Sequence, residues 1–169
     1  MKLRFLTTIA CIATRVVLAV SGAEELSNIA EETKLLDNKL SRWNGSPFSM
    51  FPLGLQAQKL KKIVDGATAT FQDQGNRPES DDKLVVAAAN DALAALDAVI
   101  TTVIAAREDF DKIPLGLPIL FGILKTLQTS TMKMTKAIVE GASIGNVNKI
   151  KAMQDRAKAH FEKAMASFD

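Results

Sequence analysis

His160 is the only histidine in this 169-residue chain and Cys11 the only cysteine, and that scarcity bounds its chemistry. Zinc sites are built from Cys and His ligands, so a metal centre here would need an unusual ligand set. A Ser-His-Asp relay could be drawn around His160, but no G-x-S-x-G elbow accompanies it. Its neighbours Lys158, Glu162 and Lys163 place it on a charged, solvated helix face. Gly141 and Gly145 are spaced as helix stops rather than as a phosphate-cradling loop. The carboxylates are scattered over polar faces, where they confer solubility. The expectation is a protein that is not an enzyme, with no catalytic residues, no cofactor and no metal.

Binding chemistry is better represented. Residues 47–55 read PFSMFPLGL and residues 113–124 read IPLGLPILFGIL, both as apolar loops. Loops usually run over the surface and are polar. Either these two fold back as core plugs, or they form the mouth of an apolar cavity or an exposed patch that meets lipid. Some polar residues share faces with apolar stripes. Gln56 precedes Leu60 by four residues and Ile63 by seven, and Gln128 and Thr131 follow Leu124 by four and seven. A buried amide needs a partner, which is a ligand head group, a neighbouring helix or water. Met50, Met132, Met134 and Met153 add adaptable apolar surface. The candidate ligand contacts are Met50, Gln56, Leu60, Phe121, Leu124, Gln128 and Thr131.

Helices must position them. Leu26, Ile29, Thr33, Leu36, Leu40 and Trp43 follow a 3-4-3-4-3 spacing, one stripe of a helix over about 24–44, ended by Gly45. A second helix starts at Pro52, suited to a first turn, and reaches about Phe71. A third runs over about 81–110 with Ser80 as its cap. It is apolar on several faces between Val85 and Ala106, the pattern of a helix in the middle of a bundle. The fourth covers about 118–139, with Phe121, Leu124, Thr131 and Ile138 on one side, and the fifth about 147–168. There is no strand pattern. The expected fold is all-α, a single-domain, five-helix antiparallel bundle.

The first 23 residues read differently. Lys2 and Arg4 precede an apolar run, Leu6 to Val20, and then Ser21-Gly22-Ala23, the order of a secretory signal peptide with Ala23 the last residue removed. Arg15 interrupts the run; the alternative is a cytosolic protein with an irregular first helix. A membrane span needs about 20 apolar residues without such a break. Cleavage would carry Cys11 away and leave a helical domain, residues 24–169, without disulfides, resting on packing alone. It would also remove Lys2, Arg4 and Arg15, leaving 18 of the 21 basic residues against 19 acidic ones, a net charge of −1 in place of +2. Bulk charge then gives no attraction to nucleic acid. The Ala-Ser-Phe-Asp end lacks the apolar tail of a GPI signal. Asn44-Gly45-Ser46 is a formal N-glycosylation sequon, though Pro47 disfavours its modification and Asn-Gly is also an ordinary helix stop.

Taken in order, LLDNKLSRWNG (35–45), PLGLQAQKLKKIVDGATA (52–69), VVAAANDALAALDAVITTVIAAREDFDKI (85–113) and ILKTLQTSTMKMTKAIVEGA (123–142) resemble the fungal hydrophobic surface binding protein A family, which includes cell-wall galactomannoproteins. The resemblance covers essentially the whole chain after residue 23. It implies secretion, a five-helix fold, and binding of hydrophobic surfaces or of fatty acids within the bundle. Related wall proteins carry a Ser/Thr-rich stalk and lipid-anchor tail; this sequence shows neither, which favours a freely secreted form. The expected partner is a fatty acid, another lipid or a hydrophobic surface. Two rivals remain: a structural or adhesive wall mannoprotein without ligand, and a surface-active protein that opens on lipid as insect apolipophorins do.

Overall fold

The computed structural model describes the backbone of residues 3–168 and the side chains of residues 22–168; Lys2, Arg4, Cys11 and Arg15 lie outside the described side chains. Six helices follow one another: α1 (Leu3–Ser41), α2 (Pro47–Gln74), α3 (Glu79–Ala105), α4 (Arg107–Asp111), α5 (Gly116–Glu140) and α6 (Val147–Ala166). The all-α, single-domain reading holds, with six helices in place of five.

The extra helix comes from a break at Ala106. Its N–H still bonds to the Thr102 carbonyl at 2.9 Å, and its own carbonyl accepts from Asp109 and Phe110. No proline or glycine marks the break. What the turn achieves is tertiary: Phe110, 3% exposed, stacks on Trp43 with ring centroids 4.1 Å apart. The second difference is α2, which starts at Pro47 rather than Pro52. Pro47 fits a first turn. Pro52, inside the helix, deprives the Phe48 carbonyl of its usual donor only at an exposed end, where water replaces it. Similarly, α5 begins at Gly116, so most of 113–124 is helix. The two apolar segments read as loops are the first turns of helices.

Among the described residues each of the five long helices packs against two other long helices and no more, α1 on α2 and α3, α2 on α5, α5 on α6, α6 on α3, with the short α4 resting on α3 and α5. The result is a closed ring. The helix expected in the middle, α3, is a wall of that ring. It is also the one described helix long and apolar enough to cross a membrane by length and composition, which a bundle helix buried along part of its length satisfies equally. Helices consecutive in the chain run antiparallel: Glu32 of α1 meets Gln56 and Lys59 of α2, and Lys39 meets Gln56. α1 and α3 instead run parallel, with Thr102 bonded to Asp37 near both C-terminal ends. "Antiparallel" therefore describes the connections and not every contact.

One end of the ring is sealed by a buried ion pair. Arg77 Nε donates to Asp82 Oδ1 at 2.9 Å, and its Nη2 donates to the Ile138 carbonyl at 2.5 Å. The Ser143 amide donates to Asp82 Oδ2, and the guanidinium lies 5.4 Å from the Phe71 ring centroid. Gly141 makes this closure feasible, since a Cβ there would sit 2.4 Å from the Gly75 carbonyl oxygen and 2.7 Å from Arg77 Nη1.

Candidate functional site

The stripe of α1 is buried as its spacing demands: Leu26, Ile29, Thr33, Leu36 and Leu40. These residues do not meet a helix at the ring's centre. They face a cavity of about 530 Å³, within the size range of sites that hold small ligands. All five long helices contribute to its wall. Leu26 and Leu40 both line it and lie fourteen residues apart, so it runs about 21 Å along the bundle at 1.5 Å per residue. It is a channel, long and narrow.

Its two ends differ. Towards the Arg77–Asp82 closure the wall is Leu26, Val64, Val85, Ile138 and Ile150, all buried. At the opposite end it is Pro47, Phe51 and Leu55 of α2, Pro114, and Ile119 of α5, and these are exposed. The channel therefore opens between the first turns of α2 and α5. Gly116 holds this corner together, because a Cβ would meet the Phe110 carbonyl oxygen at 2.1 Å.

Few polar side chains reach the wall: Thr33, Gln58, Thr131, Thr135 and Gln154. Thr33 donates to the Ile29 carbonyl at 2.7 Å. Gln154 Nε2 donates to Thr135 Oγ1 at 3.2 Å, and that hydroxyl donates to the Met132 carbonyl at 3.1 Å. These groups are largely satisfied within the fold, and no charged side chain lines the channel. Such a wall takes an apolar guest.

Of the residues singled out in the sequence, Met50, Leu60, Leu124 and Thr131 line the channel. Gln56, Phe121 and Gln128 do not. The Gln56 amide is occupied by protein, accepting from Lys39 Nζ at 2.7 Å and donating to Glu32 at 2.6 Å, so it ties α2 to α1 outside the channel. Lys59 completes that cluster by donating to Glu32 at 2.6 Å, and this bond above all holds the Glu32 carboxyl below its ordinary pKa. Phe121 and Gln128 are half-buried on the flank of α5, one position round the helix from Leu120 and Leu127, which face the channel. The Asn44 side-chain oxygen accepts from the Ser46 amide at 3.2 Å. Three polar wall residues went unread, Gln58, Thr135 and Gln154. The 4-3 spacings Thr131–Thr135–Ile138 and Ile150–Gln154–Ala157 were there to find the last two.

His160 is not the solvated side chain its charged neighbours suggested. It is 19% exposed, and Nδ1 lies 3.0 Å from Asp97 of α3. Among the described residues no group of three or more His, Cys, Asp or Glu side chains could hold a metal.

The sequence model of hydrophobic surface binding protein A matches residues 23–140. The chain belongs to the hydrophobic surface binding protein A family. No curated protein matches it. Among solved structures it is similar to Afmp4p in complex with palmitic acid, with a TM-score of 0.86 and 19% identity over 89% of this chain and 99% of that one. It is also similar to ligand-binding domain 2 of the Penicillium marneffei MP1 protein complexed with multiple arachidonic acids (TM-score 0.81, 13% identity, 88% of this chain and 95% of that one). Domain 1 of the same protein, complexed with arachidonic acids, gives 0.76 and 13%, over 86% of this chain and 95% of that one. At these identities the likeness is one of fold.

Proposed function

We propose that the protein is a secreted binder of long-chain fatty acids and not an enzyme. The observation that carries this reading is the channel: about 530 Å³, apolar, open at one end and walled by every long helix of the ring. The fatty acids held by the neighbours of this fold, palmitic in Afmp4p and arachidonic in the MP1 domains, support it. So does the leader-like order of residues 1–23, which we read as a cleaved signal peptide ending at Ala23.

The wall's chemistry orients the guest. Moving a carboxylate from water into the closed end would cost several kcal/mol without a cation to meet it, and no wall residue there is charged. The acyl chain therefore enters methyl end first and leaves its carboxylate at the mouth, in water. Leu60, Leu124 and Thr131 lie along the chain, and Met50 adapts to it near the mouth. Because the head stays solvated, methyl palmitate should bind nearly as tightly as palmitate. Native mass spectrometry of protein purified from its own culture medium, followed by palmitate titration, tests the reading. A one-to-one adduct is expected. A protein that stays ligand-free throughout the titration refutes it.

A further inference from the structure

Eight large apolar side chains are exposed among the described residues, and five of them crowd around the mouth: Phe48 (92%), Phe51 (71%), Leu55 (51%), Leu115 (72%) and Ile119 (49%). Of the others, Leu35 lies on the far flank of the α2 start, beside Ser49 and Pro52, and Leu84 and Ile144 lie elsewhere, as isolated exposed residues ordinarily do. A cluster of this kind marks an interaction site. Leu115 is held there against its own backbone preference. Its φ of 63° makes it the one non-glycine residue with positive φ among the described residues, a conformation that costs an L-residue about 1–2 kcal/mol. The side chain so placed projects into solvent and gives the fold no packing in return.

From these observations we infer that the rim formed by Phe48, Phe51, Leu55, Leu115 and Ile119 docks on the uncharged surface of a phospholipid bilayer, so that a fatty acid passes between bilayer and channel without crossing water. This rests on the fatty-acid reading and names the partner of that site. Continuity is the first argument: Phe51, Leu55 and Ile119 belong at once to the exposed rim and to the channel wall. Charge is the second. Residues 43–58 and 113–124 contain no Asp, Glu, Lys or Arg; the charges that flank them, Arg42 beside Ser49 and Pro52 on one side and Asp111 and Lys112 on the other, ring the apolar centre rather than interrupt it. Hydrogen bonding is the third. A protein partner would be met by roughly one hydrogen bond per 100–200 Å², but the polar groups of this corner are turned inward. Ser49 Oγ donates to the Ser46 carbonyl at 2.8 Å, and Trp43 Nε1 donates to the same carbonyl. Aromatic and leucine side chains without polar company suit the boundary between head groups and acyl chains.

The test uses protein loaded with a fluorescent palmitate analogue and vesicles of pure phosphatidylcholine carrying a quencher. Transfer through docking gives an initial rate that rises in proportion to vesicle concentration, and the protein floats with the vesicles in a density gradient. Phe48→Ser/Leu115→Gly changes two rim residues outside the channel wall, so equilibrium affinity for palmitate should be unchanged. Its transfer rate should fall about tenfold, the factor expected from the lost insertion of large apolar side chains. Should the double variant fold poorly, Phe48→Ser alone carries the comparison. A rate independent of vesicle concentration, or a variant that transfers as the parent does, overturns the docking surface. So does a dimer in sedimentation equilibrium that Phe48→Ser abolishes, which would show a second copy as the rim's partner. A parent protein that binds no palmitate refutes the fatty-acid reading instead, and flotation then decides the docking surface by itself.

Discussion

Lengthening a fatty acid one carbon at a time should measure the channel from inside. Each methylene taken out of water contributes about 0.8 kcal/mol, so affinity should rise about fourfold per carbon. An extended chain advances about 1.2 Å per bond, a third of the fully extended residue repeat. The span between Leu26 and Leu40, about 21 Å, then holds about 17 carbons. Affinity should climb to about sixteen to eighteen carbons and flatten, because further methylenes stay at the mouth. Leu124→Trp should move that plateau. Leu124 is 3% exposed, faces the channel, and lies eight residues into α5 from the mouth, about 12 Å deep. An indole across the channel there leaves room for about ten carbons, so palmitate should bind no better than decanoate. The thermal midpoint should hardly change, since the ring fills space that is already empty. Displacement of a fluorescent fatty acid at fixed pH and salt reads the affinities. Affinity that is flat with chain length would refute the channel as the binding site. So would a Leu124→Trp variant that keeps the plateau in place and loses the ~1–3 kcal/mol of an overpacked core.

Other perturbations act on the ring itself. Arg77→Met should destabilise by about 3–5 kcal/mol in denaturant unfolding, because it strands the buried Asp82 carboxylate; Arg77→Met/Asp82→Leu should recover much of the loss. The Glu32 carboxyl has its pKa lowered from 4.5, first by the Lys59 hydrogen bond, so its contribution is present above about pH 4.5 and is lost as pH falls through the lowered value. Glu32→Gln should therefore flatten the acid limb of the stability–pH curve, and an unchanged limb would show that the cluster contributes nothing. N-terminal sequencing of secreted protein should begin Glu24-Glu25-Leu26; a retained, full-length protein would overturn secretion.

How much of this was legible depended on whether a feature was local. The α1 stripe was, because its 3-4-3 spacing is a property of one helix, and all five of its members within the helix are buried. So was the pairing of Leu124 with Thr131, seven residues apart on one face. Gln56 was legible as buried, and a neighbouring helix was one of the partners open to its amide; which one was not legible, since Glu32 and Lys39 come from another helix that no local pattern links to it. Pro47, Pro52 and Gly54 made 47–55 look like a loop. Helix forms there because an exposed helix end tolerates what an interior would not. The apolar breadth of α3 misled in another way. A helix at the centre of a solid bundle and a helix in the wall of a hollow one both need apolar residues on several faces, and only the neighbours of each helix tell them apart.

That difference bears on how the fold stands up. A hollow ring forgoes the dispersion contacts that a filled core would give, and beyond Cys11 the sequence has no cysteine with which to brace itself. The compensation lies at the two ends. Arg77, Asp82 and Phe71 lock the closed end, while Trp43 on Phe110 ties the end of α1 to α4 beside the mouth. Of these clamp residues only Phe110 lines the channel, so a guest need not displace the others. Ligand then completes the core: a guest at a hundred times its Kd adds about 2.7 kcal/mol to stability, a large share of what a domain of this size normally has. On this argument the same apolar wall that makes the empty protein marginal makes the loaded one robust, and lipid occupancy should show itself in the melting temperature as directly as in any binding assay.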